Sequence, residues 1–139
     1  MAREVFVDAG AWIAIVNQRD DLHSEASVSY GRLLRERRPL VTTNLVIAEA
    51  HAMIRRYSGH QAAIQFLDST RQSSRLTKIY SDAALEAEAE RLLRRYADQD
   101  FSLTDAVSFA LMQQRGITEA FAFDSHFATV GFVVAPGMM

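Results

Sequence analysis

Cysteine is absent from this sequence. None of the 139 residues is a cysteine, so disulfides, thiolate metal sites and cysteine nucleophiles are excluded. Any metal ion must therefore be held by Asp, Glu or His side chains, and hard divalent cations prefer the oxygen ligands among these.

Long apolar runs are also lacking. No run approaches the roughly 20 residues that a membrane-spanning helix needs, although 49% of the residues are hydrophobic. The first residues lead directly into a strand pattern rather than into a signal peptide. We therefore expect one globular domain over residues 1–139 that is cytoplasmic and has no membrane partner.

Lysine is scarce, and the charge is nearly balanced. Lys78 is the one lysine among 15 basic residues, and the formal net charge is -2. This charge gives no overall attraction to nucleic acid, so RNA binding would depend on local patches or on a metal ion. Arginine is the better residue for forked contacts to phosphate, although it serves structural ion pairs equally well.

Short apolar segments alternate along the chain with helical patterns. The predicted strands cover residues 4–8, 40–43, 76–80, 120–124 and 132–134, the last of them ending before Pro136. The predicted helices cover residues 11–16, 22–38, 45–57, 60–72, 83–96 and 103–115, with a short turn over 126–129. This alternation predicts a single-domain α/β/α sandwich with a mostly parallel central sheet.

Helix-capping residues support these boundaries. Asn44 is positioned to cap the third predicted helix, and Ser81 or Asp82 is positioned to cap the fifth. Ser102 precedes the sixth, with Asp105 three residues later, which is the S-x-x-D form of a capping box.

Four acids are expected at one edge of the sheet. Asp8 and Asp124 end predicted strands, Glu49 lies early in the helix after the second strand, and Asp105 lies in the first turn of its helix. Because the ends of parallel strands and the starts of the following helices share an edge, these carboxylates should converge there.

Each acid also has a structural explanation. Asp8 and Asp124 could be turn residues, and Asp105 could be a helix cap. Glu49 is harder to explain, because its predicted neighbours are apolar and an unpaired carboxylate on such a face is costly. Four converging carboxylates repel one another, and one or two Mg²⁺ or Mn²⁺ ions acting on a phosphodiester would relieve that repulsion.

The order and spacing of these motifs resemble the PIN-domain ribonucleases, in particular the toxin half of VapBC-type toxin–antitoxin pairs. The resemblance covers essentially the whole chain. The matching segments are Val5-Phe6-Val7-Asp8, Thr42-Thr43-Asn44 continuing to Glu49, Ser102-Leu103-Thr104-Asp105, and Ala122-Phe123-Asp124.

The resemblance implies a Mg²⁺-dependent endoribonuclease, the toxin of a type II toxin–antitoxin module, with Mn²⁺ able to substitute. The implied catalytic and metal-binding residues are Asp8, Glu49, Asp105 and Asp124, with Thr43 and Ser102 as polar helpers. It also implies an RNA substrate, a cognate antitoxin whose segment covers the acidic edge, and a homodimer.

Other charged residues have weaker signals. His126 follows Asp124 by two positions, and we interpret it as packed or exposed rather than as a general base or a metal ligand. The two arginine clusters that could hold RNA or the antitoxin are Arg91, Arg94 and Arg95, and Arg35, Arg37 and Arg38. A solvated helix face is the default interpretation of the first cluster.

Two alternatives to a toxin remain open. One is a housekeeping nuclease of the same fold, and the other is a non-catalytic PIN-like module that binds RNA or protein. A response-regulator receiver is disfavoured because Lys78 lies within a strand rather than at its end, and an aspartyl phosphatase is disfavoured because Gly10 occupies the place of a second Asp. Metal-dependent RNA cleavage would separate an enzyme from a binding module.

Overall fold

The computed structural model describes residues 3–135, which form five strands and seven helices. The strands are β1 (Val5–Val7), β2 (Leu40–Thr43), β3 (Leu76–Ile79), β4 (Glu119–Phe121) and β5 (Val133–Ala135). The helices are α1 (Ala9–Val16), α2 (His23–Arg35), α3 (Asn44–Ser58), α4 (His60–Gln72), α5 (Ala83–Arg95), α6 (Leu103–Arg115) and α7 (His126–Thr129). The predicted alternation of strands and helices is confirmed, and Pro136 lies outside the described residues.

The five strands form one parallel sheet in the order β3-β2-β1-β4-β5. Every residue of β1 and β2 is buried, which is why these strands appear in the sequence as short apolar runs. The chain moves outward from β1 through β2 to β3 and then returns to β4 and β5. The direction of winding reverses between β1 and β4, and such a reversal leaves a crevice beyond the strand ends.

Helices cover both faces of the sheet. Right-handed crossovers place the connections before and after the reversal on opposite faces. On one face α1 packs against α2 and α3, and α3 packs against α4, whereas α5 and α6 of the return crossover pack against each other. This arrangement confirms the predicted α/β/α sandwich.

A cluster of aromatic rings connects the sheet to α6 and α7. Phe6 of β1, Phe109 of α6 and Phe127 of α7 are all fully buried, and the Phe127 ring centroid lies 6.0 Å from that of Phe6 and 5.0 Å from that of Phe109. Phe101, just before α6, lies 5.0 Å from Phe109 and 5.1 Å from the imidazole of His126. These contacts hold α6, α7 and the segment just before α6 against β1 in the core.

The start of α3 differs from the prediction. Thr43 is its cap, and the Thr43 hydroxyl accepts a hydrogen bond from the backbone N–H of Val46 at 3.1 Å. The prediction that Asn44 caps this helix was wrong, because Asn44 Oδ1 instead accepts from the backbone N–H of Ser81 at 2.8 Å. Asn44 therefore connects the start of α3 to the segment after β3.

Other boundaries shift by a few residues. Helix α2 ends at Arg35 rather than at residue 38, and of the two candidate caps for α5 the structure uses Asp82, which accepts from Leu85 N–H at 2.8 Å. Within residues 3–135, no helix is both long enough and apolar enough to cross a membrane.

Candidate functional site

The four acids lie at the edge of the sheet where the strands end, around the point at which the strand order reverses. Asp8 directly follows β1, and Asp124 lies in the loop after β4, the neighbouring strand. Glu49 lies in the second turn of α3, and Asp105 lies in the first turn of α6. The charges of Asp124, Asp105 and Glu49 all act on Asp8, so the structure brings the four carboxylates together.

Asp8 is the buried member of this group, with 6% of its surface exposed. Burial, followed by the charge of Asp124 and with smaller contributions from Asp105 and Glu49, raises the pKa of Asp8 to about 8. No ion pair to Asp8 occurs within residues 3–135. Near neutral pH this carboxyl must therefore either keep its proton or face an added cation.

Glu49 is exposed to solvent, so the prediction that it lies on an apolar face was wrong. The side chain projects from α3 at the edge of the cluster rather than into the core. Its pKa is nevertheless raised, first by partial desolvation and then by the charges of Asp105 and Asp124. Glu49 thus belongs to the acidic group both through partial desolvation and through the charges of its neighbours.

Asp105 combines a capping role with a place in the cluster. Ser102 Oγ accepts from the backbone N–H of Asp105 at 3.0 Å, and Asp105 Oδ2 accepts from the backbone N–H of Ser102 at 3.0 Å, which completes a capping box. The same Oδ2 lies 3.0 Å from Nδ1 of His126. Among the described residues Oδ1 has no hydrogen-bond partner, so this oxygen remains available to a ligand.

Asp124 does not end its strand as predicted. Strand β4 ends at Phe121, and Asp124 lies three residues later in the loop that leads to α7. Its Oδ1 accepts from the backbone N–H of His126 at 3.0 Å, which fixes the carboxylate at the start of α7. The loop carries the acid to the same edge of the sheet without extending the strand.

His126 is the site residue that sequence reasoning considered and set aside. One ligand atom each from His126, Asp105 and Asp124 lies within 4.8 Å of the others. The half-buried imidazole packs against Phe101, as a packed histidine should, but its Nδ1 also lies 3.0 Å from Asp105 Oδ2. The Asp-x-His spacing was visible in the sequence, but the contact of His126 with Asp105, 21 positions earlier, was not.

This donor set fits a divalent cation. Carboxylate oxygens suit Mg²⁺ and Mn²⁺, and an imidazole nitrogen is compatible with the softer of the two. Asp8 and Glu49 lie outside the compact group of three but add to its negative charge. A cation bound there would offset the repulsion that, together with burial, raises the pKa of Asp8.

The two predicted helper hydroxyls serve as helix caps. Thr43 is fully buried and caps α3, and Ser102 caps α6. Both hydroxyls accept hydrogen bonds from backbone N–H groups, so their positions at the site follow from where the helices begin.

Within residues 3–135, three of the six arginines in the two clusters, Arg38, Arg91 and Arg94, form ion pairs. Arg38 contacts Glu119 at 2.7 Å, and because Glu119 begins β4 this pair lies at the edge of the sheet opposite the acids. Arg91 contacts Glu88 at 2.7 Å on the same helix, and Arg94 contacts Glu90 at 3.9 Å. The pairs formed by Arg91 and Arg94, both within α5, have the arrangement expected of a solvated helix face.

The pattern that identifies the family spans the whole sheet. The sequence profile of the PIN domain matches residues 5–133, from β1 to β5. The chain belongs to the PIN domain family. This PIN domain is 36% identical over 130 residues to the 23S rRNA-specific endonuclease VapC20 of Mycobacterium tuberculosis, strains CDC 1551 / Oshkosh and H37Rv, across 93% of this chain and 95% of the relative.

Solved structures agree with this assignment. The crystal structure of Mycobacterium tuberculosis VapC20, described as a sarcin-ricin loop cleaving toxin, matches this PIN domain with a TM-score of 0.83 and 35% identity, over 93% of this chain and 96% of that one. The predicted resemblance to VapC-type PIN-domain ribonucleases is thereby confirmed.

More distant structures share the fold. VapBC2 of Rickettsia felis, bound to a DNA fragment from its promoter, matches with a TM-score of 0.68 at 12% identity, over 94% of this chain and 96% of that one. FitAcB of Neisseria gonorrhoeae matches with a TM-score of 0.64 at 13% identity, over 94% of this chain and 95% of that one. At these identities the likeness concerns the fold alone.

Proposed function

We propose that this protein is a metal-dependent endoribonuclease, the toxin of a type II toxin–antitoxin module, and that residues 1–139 act as one nuclease domain. The observation that carries the proposal is the convergence of Asp8, Glu49, Asp105 and Asp124 around the crevice between β1 and β4. Membership of the PIN domain family and the named activity of VapC20 support the choice of RNA over other phosphodiesters. Purified 23S rRNA is therefore the first substrate to test.

The four acids are proposed to hold one or two Mg²⁺ ions, with Mn²⁺ able to substitute. When bound, such a cation activates water for attack on phosphorus and stabilises the charge on the departing oxygen. Asp8, whose carboxyl is buried and ionises with difficulty, gains most from a neighbouring cation. Asp105 presents its free Oδ1 while the capping box and His126 fix its other oxygen.

Removal of divalent cations should abolish cleavage. We expect purified protein in EDTA to leave 23S rRNA intact, and addition of Mg²⁺ or Mn²⁺ in excess of EDTA to restore cleavage, because the acids repel a bare phosphodiester. The measurement is the appearance of fragments on a denaturing gel. Full cleavage in EDTA would contradict the mechanism, and absence of cleavage under every metal condition would favour a non-catalytic binding module.

His126 is proposed to position the carboxylate of Asp105. Replacement by Ala should weaken Mn²⁺ binding about 10- to 100-fold, the usual cost of removing a hydrogen-bonding partner of a metal ligand. His126→Asn should lose less of its affinity for Mn²⁺, because the asparagine amide can still donate a hydrogen bond to Asp105 Oδ2. Calorimetric titration of Mn²⁺ into each variant measures the effect, and equal affinity of His126→Ala and the unaltered protein would assign His126 to packing alone.

The antitoxin is proposed to dock partly in an apolar groove beside α1. This groove, of about 410 Å³, is lined by residues of α1, α2 and α4 that include Trp12, Ile15, Tyr30 and Phe66. It suits the apolar face of a short helix. A partner anchored there could extend a segment over the acidic edge, and the toxin itself is proposed to be a homodimer.

A further inference from the structure

Beyond the acids, we propose that Tyr80, together with Lys78, forms a stacking platform for a base of the RNA strand that crosses the acidic site. This inference rests on the proposed ribonuclease function and adds a contact that the four acids cannot supply. It concerns how the substrate is held, not how it is cut.

The platform lies at the same edge of the sheet as the acids. Parallel pairing aligns Ile79 of β3 with Thr43 of β2, and extension of the β1–β2 register aligns Thr43 with Asp8. Tyr80 is therefore one position beyond the level of Asp8, on the second strand away. Two strand spacings of about 4.8 Å separate the backbones by about 10 Å, a distance that a few nucleotides of single strand span.

The chemistry of the platform suits a nucleic acid. Tyr80 is 64% exposed, and the ammonium nitrogen of Lys78 lies 5.1 Å from the centroid of its ring. Lys78 forms no ion pair within residues 3–135, so its charge is available to a phosphate near an otherwise acidic edge. An exposed aromatic ring with a cation over it combines a surface for base stacking with a contact to phosphate, the two kinds of contact by which proteins bind single-stranded nucleic acid.

The backbone around Tyr80 is anchored on its carboxyl side. Ser81 N–H donates to Asn44 Oδ1 at 2.8 Å, and Asp82 caps α5 through Leu85 N–H at 2.8 Å. On its amino side, Ile79 belongs to β3. A ring carried on fixed backbone loses little conformational entropy on binding, which favours its use as a contact surface.

Exposure alone does not distinguish Tyr80, because Tyr57 is 59% exposed and has the guanidinium carbon of Arg56 5.8 Å from its ring centroid. Tyr57, however, lies near the end of α3, 13 residues beyond Asn44. At 1.5 Å per residue this is about 20 Å along the helix from the acidic edge. The chain thus contains a second exposed tyrosine with a neighbouring cation, at a place where we do not expect substrate to bind. Tyr57 is therefore a matched control.

The test is the affinity of the full-length protein for RNA without divalent cations. The probe is a fluorescein-labelled single-stranded RNA of about ten nucleotides, within the range that such surfaces cover, measured by fluorescence anisotropy at low salt. We expect Tyr80→Ala to weaken binding about 10-fold or more, Tyr80→Phe to stay within about threefold, and Tyr57→Ala to have no effect. Lys78→Gln should reduce the dependence of log Kd on log salt concentration by about 0.7, the loss of one phosphate contact.

The kinetics of cleavage supply the second measurement. In Mg²⁺, Tyr80→Ala should raise KM and leave kcat close to that of the unaltered protein, because the platform binds substrate without touching the reacting atoms. Equal RNA affinity of Tyr80→Ala and the unaltered protein would overturn the proposal, as would an equal loss in Tyr57→Ala. Unchanged RNA binding with weakened antitoxin binding would identify a protein-binding surface and would also overturn it.

The outcome is separable from the proposed function. If the unaltered protein cleaves RNA with Mg²⁺ but Tyr80→Ala binds and cleaves equally well, only the platform is wrong. If the unaltered protein cleaves no RNA in any metal, the ribonuclease proposal fails whatever Tyr80 does. The melting temperature of each variant verifies that it folds, and the conservative Tyr80→Phe variant retains the ring if Tyr80→Ala does not fold.

Discussion

Replacement of Asp8 by Asn should abolish RNA cleavage and should also stabilise the metal-free protein at pH 8. Burial of the Asp8 carboxyl, followed by the charges of Asp124, Asp105 and Glu49 beside it, raises its pKa from 3.8 to about 8. Asparagine removes a negative charge that lowers the free energy of unfolding of the metal-free protein. The asparagine amide can also donate a hydrogen bond to a neighbouring carboxylate. We expect cleavage to fall at least about 100-fold, beyond the usual effect of altering a residue that only supports a metal ligand.

The stabilisation should depend on pH in a definite direction. A carboxyl whose pKa is raised by folding contributes stability that is fully present below about pH 4 and lost as the pH rises to about 8. Each pKa unit corresponds to about 1.4 kcal/mol, so the unaltered protein should lose several kcal/mol across this window through Asp8. In Asp8→Asn this loss should be absent, and its melting temperature at pH 8 in EDTA should be higher by about 5 °C or more.

Thermal unfolding with EDTA and with Mg²⁺ measures both effects. The unaltered protein should gain stability from Mg²⁺, whereas Asp8→Asn should not. Glu90→Gln, which removes an exposed acid of α5 away from the cluster, is the matched control and should change neither cleavage nor the Mg²⁺ response. A metal-free Asp8→Asn protein that is less stable at pH 8 would show that Asp8 is held by favourable contacts and does not repel its neighbours.

Replacement of Asp105 by Asn should separate its two roles when it is compared with Ser102→Ala. Ser102→Ala removes the hydroxyl cap from α6 and keeps the carboxylate, so it should cost about 0.5–2 kcal/mol of stability and keep cleavage. Asp105→Asn keeps an oxygen that can accept from Ser102 N–H but removes one of four repelling charges. It should therefore be as stable as the unaltered protein without metal and should lose cleavage and the Mg²⁺ response.

The opposite pattern would reassign this acid. If Asp105→Asn keeps cleavage and melts at a lower temperature, Asp105 is a cap only, and the metal must be held without it. If Ser102→Ala loses cleavage while it remains folded, the Ser102 hydroxyl acts at the site as well as in the cap. Cleavage of 23S rRNA and unfolding with and without Mg²⁺ decide between these results.

The acidic cluster could be predicted because it follows from strand direction. Parallel strands end at one edge, so Asp8 and Asp124 could be placed together without knowledge of any contact. The capping box of Asp105 could be predicted for a similar reason, since it depends on residues three positions apart. Both inferences use only local pattern and the alternation of strands with helices.

The contacts that the sequence did not reveal are those between distant residues. His126 meets Asp105 across 21 positions, and Asn44 meets Ser81 across 37. Asparagine is a preferred residue at the N-cap of a helix. In the structure, however, the Asn44 side chain accepts a hydrogen bond from Ser81, and Thr43 caps the helix instead. Glu49 was assigned to an apolar face because its neighbours in sequence are apolar, although the edge of the sheet leaves it in solvent.

The pairing of β1 with β4 also determines when the protein can become active during its synthesis. On the ribosome, Asp8 and Glu49 emerge early, whereas β4 and Asp124 emerge close to the end of the described chain. Until β4 docks beside β1, the nascent sheet has no crevice in which the acids can meet, and closure of so long a loop is slow. The acids can therefore meet only once β4 has been synthesised and has docked beside β1, however early Asp8 and Glu49 emerge.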